Sequence, residues 1–567
     1  MKRANLTYII LALLLVQACT HKISMYTSDK SLTSDRAMVV TAHPLASDAG
    51  IRILKDGGNA IDAAIAVHFA LAVVHPRAGN LGGGGFMMYR TNAGQKYALD
   101  FREKAPAKAN KDMYLDTAGN VIPGLSTEGA LAVGVPGSVA GMYEAHKRFG
   151  KLKWAKLLTD AIRYASKGFP VTAREAERLN RFKDIFVKYN GPDIPFVKDS
   201  AWKAGDIVVQ PQLAKTLKRI QKMGPKGFYK GDVAQSIQST VRAQHGILST
   251  RDLENYAPVW RKPIQCTYRD SFNIISMPPP SSGGVCLCQM LGMSEATEMG
   301  TMHRDDALTK HFMIEVMRRS FADRAKYLGD MDFVPVDLDQ LLDKRYLLRK
   351  ISDFHPRMAT PSDSILQEDI KLPESFETTH FSIVDDLGNA VSETTTLNSN
   401  YGSKVFVKGA GFFLNNEMDD FSAKPGTPNL YGLVGSKANA IAPGKRMLSS
   451  MTPTIVERKG KLFMVLGTPG GSTIITSVYQ VILNQIDFRM PLDSAVWAKR
   501  FHHQWKPDLV MYEADAFTPE TLKELKAKGH KFLLRKYLAT VNAILVDKRG
   551  KLYGAADDRA DNDAEGW

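Results

Sequence analysis

Thr378 and Thr379 open the run Thr378-Thr379-His380-Phe381-Ser382-Ile383-Val384-Asp385, in which polar and apolar side chains interleave as they do in a strand. A hydroxyl nucleophile needs a base beside it. Were the Glu377–Thr378 peptide bond cut, Thr378 would carry a hydroxyl and a free α-amine, nucleophile and base on one residue. A second β-rich run, Ala390 to Leu397, follows across Asp386-Leu387-Gly388. Three residues ending in glycine suit a hairpin built on a type I turn and a left-handed glycine. With Asp385 facing Asn389, Thr378 faces Thr396, at a Cα spacing of about 4.5–5.5 Å, and Thr396 could orient the Thr378 hydroxyl. A bulge at Gly388 would shift that register. Taken alone, the same residues also describe an ordinary threonine-rich hairpin, because threonine favours strands.

Chemistry that passes through an oxyanion needs preorganised donors. Gly470 and Gly471, in Thr468-Pro469-Gly470-Gly471-Ser472, can present two backbone N–H groups without side-chain obstruction. A plain Pro-Gly turn fits that spacing equally well. His380 could act as a base, but the α-amine explains more. His502-His503 suggests a metal, yet no HExxH pattern accompanies it, and a structural role fits better. Gly82 to Gly85 precedes a strand-like Phe86-Met87-Met88-Tyr89. No Lys-Ser/Thr follows it and no dinucleotide-binding spacing is present, so close backbone packing is the better account.

The elements that must position these residues alternate along the chain. Ala60 to Val74 reads as an apolar, alanine-rich helix ended by His75-Pro76. Helical periodicity dominates from Asp160 to Thr250 and from Asp306 to Leu328, and Thr379 to Val456 reads as strand-rich. The polar stretch Pro361 to Pro373 suits a linker that moves away after cleavage.

The chain resembles the γ-glutamyltransferases (γ-glutamyltranspeptidases), N-terminal-nucleophile hydrolases. The matching blocks are TTHFSIVDDLGNAV, TTTLN, FFLNNEMDDFSAKPGTPNLYGLVG, KRMLSSMTPTIV, LGTPGGS and, upstream, HPRAGNLGGGGF, LDFREKAPAKA, GVPGSVAG, MPPPSSGG and FADRAKYLGD. The resemblance runs from about Ala37 to the C-terminus. It implies an α+β fold, a four-layer αββα sandwich built from two subunits of one precursor: a large one over 37–377 and a small, catalytic one over 378–567. It implies Thr378 as nucleophile and Gly470 and Gly471 as oxyanion hole. By the same resemblance Arg102, Ser449 and Ser450 hold the donor's α-carboxylate, and Asn398, Glu417 and Asp420 its α-ammonium. Pro425 to Gly435 matches a lid with Tyr431 as its gating residue, which favours small donors such as glutathione. Thr379 and Thr396 complete the hydroxyl cluster. The implied partners are γ-glutamyl compounds and amino acid or peptide acceptors, with no metal or organic cofactor. The rival within the superfamily is a glutaryl or cephalosporin acylase, against which Asp420 and the lid weigh. The rival of another class is an uncleaved binding module, against which the intact Thr378 weighs.

Composition adds limits. The formal charge is +15, from 74 basic and 59 acidic residues, but the basic residues are scattered, without a block or an aromatic stripe, which argues against nucleic acid. At the N-terminus Lys2 and Arg3 precede an apolar run from Leu6 to Val16, of signal-peptide proportions. It ends in Leu15-Val16-Gln17-Ala18-Cys19, which resembles a bacterial lipobox. The expectation is a signal peptide over 1–18, lipid on Cys19, a tether over 19–36 and a periplasmic, outer-membrane-anchored protein. Cys266, Cys286 and Cys288 then remain, too few for a disulfide framework, and buried free thiols are expected.

Overall fold

The computed structural model describes Tyr26, residues 28–362 and residues 378–567. Two seven-stranded sheets form its centre. One has the order Asp563–Gly566, Met38–Thr41, Thr379–Val384, Ala390–Thr396, Gly84–Arg90, Lys96–Asp100 and Val259–Arg261. The other has the order Ser31–Ser34, Leu552–Ala556, Asn542–Val546, Lys461–Gly467, Thr454–Arg458, Phe272–Ser276 and Ile264–Tyr268. Neighbours in both sheets pair antiparallel. Met38, Phe86, Val384, Ile455, Val465 and Ile544 fill the space between the sheets. Ala60–Val74 and its neighbouring helices cover the first sheet, and Gly283–Ser294, Ala307–Tyr327 and Thr473–Ile486 cover the second. This is the expected four-layer αββα sandwich.

Sequence explains why the threonine hairpin sits at its centre. All fifteen residues of Ala60–Val74 are buried, as its nearly unbroken apolar composition requires. An Asn59/Asp62 capping box starts this helix, and His75 follows its last residue. Asp385 joins the helix to the hairpin: its carboxylate accepts from the N–H of Ala60 at 2.9 Å and from those of Leu387 and Asn389 at 3.0 and 2.9 Å. Gly388 closes the turn at φ 83°, a conformation that glycine adopts without penalty. Thr379 pairs with Thr395 and Val384 with Ala390, so the register is the expected one and no bulge shifts it.

Both hairpin strands are buried along their whole length, because one face meets helices and the other meets the second sheet. Three expectations need correction. Thr379 to Val456 is less strand-rich than expected: between Thr396 and Thr454 only two two-residue strands occur, Phe406–Val407 and Phe412–Phe413. The intervening chain is loop that builds the site. Ser31–Ser34, expected within the tether, is an edge strand paired to Leu552–Ala556; serine and threonine hydroxyls suit an edge with one side open to water. Finally, Cys266 and Cys288 form a disulfide, leaving Cys286 free and buried. The turn of helix between Cys286 and Cys288 points the former at Ser320 and the latter at the strand Ile264–Tyr268. Cys19, Glu377 and most of Pro361 to Pro373 lie outside the described residues.

Candidate active site

Thr378 lies immediately before the strand Thr379–Val384, on the face turned toward the second sheet, and is buried. Its Oγ1 is 3.4 Å from Oγ1 of Thr396, across the hairpin. Thr396 Oγ1 also accepts from the Asn398 N–H at 2.8 Å, which fixes its oxygen. Two residues on, His380 occupies the same face. Its ring nitrogens are bonded to Thr394 Oγ1 at 2.9 Å and Ser382 Oγ at 3.1 Å. Burial lowers its pKa to about 3, so it is a neutral structural group. Thr379 points to the opposite face, where its hydroxyl makes no hydrogen bond among the described residues; it does not join the cluster around Thr378.

Gly470 and Gly471 end the loop after the strand Lys461–Gly467 and precede the helix Thr473–Ile486. They adopt φ 145° and 56°, values that disfavour any side chain. Their carbonyls take up the helix's first N–H groups, while their own N–H groups make no hydrogen bond among the described residues. The helix dipole adds partial positive charge at that end. Gly471 lines the same cavity as Thr378. A Cβ on Gly471 would lie 2.6 Å from the ring of Tyr431, so the lid tyrosine rests against its backbone.

The cavity's far side is strongly charged. Arg102 follows the strand Lys96–Asp100 and is buried. Its Nη1 bonds Glu417 and its Nη2 bonds Asp420 at 2.5 Å, with a Glu103 oxygen 3.8 Å away. Burial pulls the Arg102 pKa down, but Glu417, Asp420 and Glu103 outweigh it and leave the guanidinium firmly charged. One cation cannot satisfy three buried carboxyls. Desolvation accordingly raises Glu103 to about 8, Glu417 well above its ordinary value, and Asp420 above its own, in each case against the pull of Arg102. The pocket therefore has acceptor capacity to spare for one more cation.

Ser449 and Ser450 close the wall. Ser449 Oγ accepts from the Met451 N–H at 3.1 Å and Ser450 Oγ accepts from Arg324 Nη2 at 3.2 Å. A hydroxyl that accepts from a fixed donor keeps its own hydrogen to give, so both can donate into the cavity. Asn398, at φ 75°, donates its side-chain amide to the Asn416 carbonyl at 3.1 Å. The loop Pro425 to Gly435, expected to be a lid, is fastened at several points: Tyr431 Oη donates to the Asn398 carbonyl, Gln504 Nε2 to the Tyr431 carbonyl at 3.0 Å, and Asn429 Nδ2 to Asp420 at 3.2 Å. Asp419, raised to about 6 by burial, accepts from Ser126 Oγ at 2.6 Å and from the Leu430 N–H at 2.9 Å.

Thr378, Thr396, Arg102, Asn398, Glu417, Asp420, Ser449, Ser450, Tyr431 and Gly471 thus line one cavity, with Gly470 next in sequence. Glu377 is not described. His502 and His503 are buried structural groups, bonded to Thr476 and Gln504 and to Asp508. Sequence reasoning missed Glu103, Ser282 and Arg324. Glu103 and Arg324 are charged residues in otherwise well-packed segments, which was the available signal.

Two facing antiparallel sheets between helical layers, with a threonine at the head of a central strand, define the fold of an N-terminal-nucleophile hydrolase. The chain belongs to the γ-glutamyltranspeptidase family, whose profile matches residues 46–567. It is 45% identical to a glutathione hydrolase proenzyme of Pseudomonas sp. strain A14 over 94% of each chain. Among solved structures it is similar to a cephalosporin acylase from Bacillus halodurans, with a TM-score of 0.84 at 28% identity over 96% of this chain and 98% of that one. It is also similar to the Helicobacter pylori γ-glutamyltranspeptidase, with a TM-score of 0.56 at 43% identity over 62% of this chain and 99% of that one.

Proposed function

We propose that Thr378 is the nucleophile through which this chain acts. The protein is a self-processing γ-glutamyltransferase and glutathione hydrolase. In maturation, Thr378 Oγ1 attacks the Glu377 carbonyl carbon and the Glu377–Thr378 C–N bond breaks. The resulting ester is hydrolysed, leaving a large subunit over 37–377 and a small one over 378–567 that begins with a free amine. In turnover, that amine takes the Oγ1 proton as the oxygen attacks the γ-carbonyl carbon of the donor. Gly470 and Gly471 hold the oxyanion with their N–H groups. The amine returns the proton to the leaving nitrogen, and the γ-glutamyl ester on Thr378 passes to water or to an amino acid or peptide amine.

Donor recognition uses both charges of the cavity. Arg102, Ser449 and Ser450 receive the α-carboxylate, since a guanidinium fork and two hydroxyls match its oxygens. Asn398, Glu417 and Asp420 receive the α-ammonium, and the surplus of acceptor capacity that three buried carboxyls keep beyond the single Arg102 cation supports this assignment. The same surplus disfavours an uncharged glutaryl chain, hence the acylase alternative. Export with a signal peptide over 1–18, lipid on Cys19 and an outer-membrane anchor in the periplasm rest on the lipobox-like Leu15-Val16-Gln17-Ala18-Cys19.

The observation that carries this reading is the meeting of Thr378, Gly471 and a carboxyl-rich arginine site in one cavity, with Gly470 next in sequence. Intact mass of the denatured protein, followed by hydrolysis of γ-glutamyl-p-nitroanilide, tests it. Two polypeptides, the smaller starting at Thr378, and release of p-nitroaniline are expected. A single chain that releases none would overturn it.

A further inference from the structure

Arg324 lies on the helix Ala307–Tyr327 and is buried. The same helix carries Arg318 and Arg319, which pair with Glu315. Elsewhere in the core Arg446 pairs with Asp100 and Arg500 with Asp557. Arg324 differs: among the described residues no carboxylate lies within ion-pair distance of it. Its hydrogen-bond partners are two hydroxyls, Ser282 Oγ at 3.0 Å from Nε and Ser450 Oγ at 3.2 Å from Nη2. Arginine stays protonated in folded proteins, and an unpaired buried charge is costly unless something compensates it.

The surroundings say where compensation comes from. Ser282 donates its hydroxyl to the Ser449 carbonyl at 2.6 Å and its N–H to the same oxygen at 2.8 Å. Arg324 therefore reaches the Ser449-Ser450 segment twice, through Ser282 and directly at Ser450. Ser450 lines the cavity with Arg102. Arg102 is already bonded to Glu417 and Asp420, so it contributes little net positive potential there. A donor carboxylate entering beside Ser450 would meet the charge of Arg324 behind that hydroxyl, which Asp420 offsets only from beyond ion-pair distance.

We infer that Arg324 is a positioning and specificity-determining residue for the α-carboxylate of the donor. It holds the Ser450 oxygen as an acceptor, turning the hydroxyl hydrogen into the cavity, and it supplies the positive charge that Arg102 shares with its carboxylates. It acts through Ser450. The inference rests on the γ-glutamyl reading above.

The test compares two ligands that differ only in that carboxylate. Competitive inhibition by L-glutamate and by 4-aminobutanoate is measured against γ-glutamyl-p-nitroanilide hydrolysis, in wild type, Arg324→Gln and Arg324→Lys. Wild-type hydrolysis of the anilide establishes the underlying reading independently; its absence would sink that reading, whatever Arg324 does. Loss of a charge-assisted contact predicts that Arg324→Gln weakens glutamate by about tenfold or more and raises KM for the anilide. 4-Aminobutanoate should change by less than about twofold, and Arg324→Lys should recover part of the loss. Equal weakening of both ligands would mean a merely structural role, and no weakening of glutamate would mean none; either overturns the inference. If Arg324→Gln does not mature, Ser282→Ala, which removes the hydroxyl that seats Nε and leaves the Ser282 N–H on the Ser449 carbonyl, must show the same selective loss, and an unselective or absent loss there overturns it equally.

Discussion

Thr378 Oγ1 and Thr396 Oγ1 stand 3.4 Å apart on paired strands, and the pairing is set by the Asp385 turn at the other end of the hairpin. A turn six residue pairs away thus decides which hydroxyl faces the nucleophile, since a slip of one residue would turn every side chain to the other face. Thr378→Ala should stay a single inactive chain by intact mass, because it lacks the oxygen for both the self-cleavage and the turnover ester. Thr396→Val, which removes only the partner hydroxyl, should mature more slowly and retain residual activity. Cleaved, active Thr378→Ala would sink the mechanism.

The pH dependence has a defined sign. In the proposed mechanism the base is the Thr378 α-amine, active when neutral, and an unperturbed α-amine titrates at about 7.7–8.0. His380 does not replace it, because burial lowers its pKa to about 3 and both its nitrogens are bonded elsewhere. On the binding side, burial raises the Glu417 and Asp420 carboxyls, so their ionised, ammonium-binding forms also grow as pH rises. kcat should increase through neutral into mildly alkaline pH, and KM for the γ-glutamyl donor should be higher on the acid side, where those carboxyls are protonated, and fall as pH rises. A flat kcat profile from about pH 6 to 9 would argue against the amine.

Asp420 separates this reading from the acylase alternative. It is bonded at once to Arg102 and to Asn429 of the lid. Asp420→Asn keeps the shape and removes the charge. It should lower kcat/KM for γ-glutamyl-p-nitroanilide by about tenfold or more, the usual scale for a charge-assisted contact, and lower that for glutaryl-p-nitroanilide much less. Equal losses would remove Asp420 from amine recognition.

The legible parts of the molecule were those where local pattern and global fold agree. Ala60–Val74 is unambiguous because its apolar run, its Asn59 cap and the His75-Pro76 stop coincide. The hairpin register followed from letting Asp385 face Asn389, with a bulge at Gly388 as the open alternative, and the pairing of Thr379 with Thr395 bears out the unbulged one. Resemblance supplied Arg102, Ser449, Ser450, Asn398, Glu417 and Asp420, which come from four separate segments of the sequence, Glu417 and Asp420 together on one short 3-10 turn and Ser449 and Ser450 side by side. What escaped was set by tertiary packing. The Cys266–Cys288 bond joins a strand to a helix across 22 residues, and no spacing rule specifies it. Arg324 looks like one more basic residue until its neighbours prove to be hydroxyls. The stretch between Thr396 and Thr454 was expected to continue the strands of the hairpin, but it is rich in glycine, asparagine and serine, and its backbone is spent on turns around the cavity.

The disulfide carries its own prediction. It closes a loop of 22 residues between the edge strand Ile264–Tyr268 and the helix Gly283–Ser294. Chain entropy assigns such a loop about 3 kcal/mol, which for a protein of this size lowers Tm by a few degrees when lost. Cys266→Ser should show that drop in calorimetry, together with a free Cys288 thiol by alkylation.

Gly471 provides the sharpest test of the oxyanion site, since it serves both the backbone and the lid. Its φ of 56° disfavours any side chain, and an added Cβ would lie 2.6 Å from the Tyr431 ring. Gly471→Ala should therefore displace its own N–H from the oxyanion and lift Tyr431 from its seat. Loss of one such donor costs about 10²–10³ in kcat, and the intact-mass assay should show slower maturation, because self-cleavage passes through an oxyanion as well. Tyr431→Ala isolates the lid. It leaves both glycine N–H groups in place and should keep kcat within about tenfold, while opening the cavity to bulkier γ-glutamyl amides. If both variants lost kcat equally, the tyrosine rather than the glycine backbone would be setting the reaction rate.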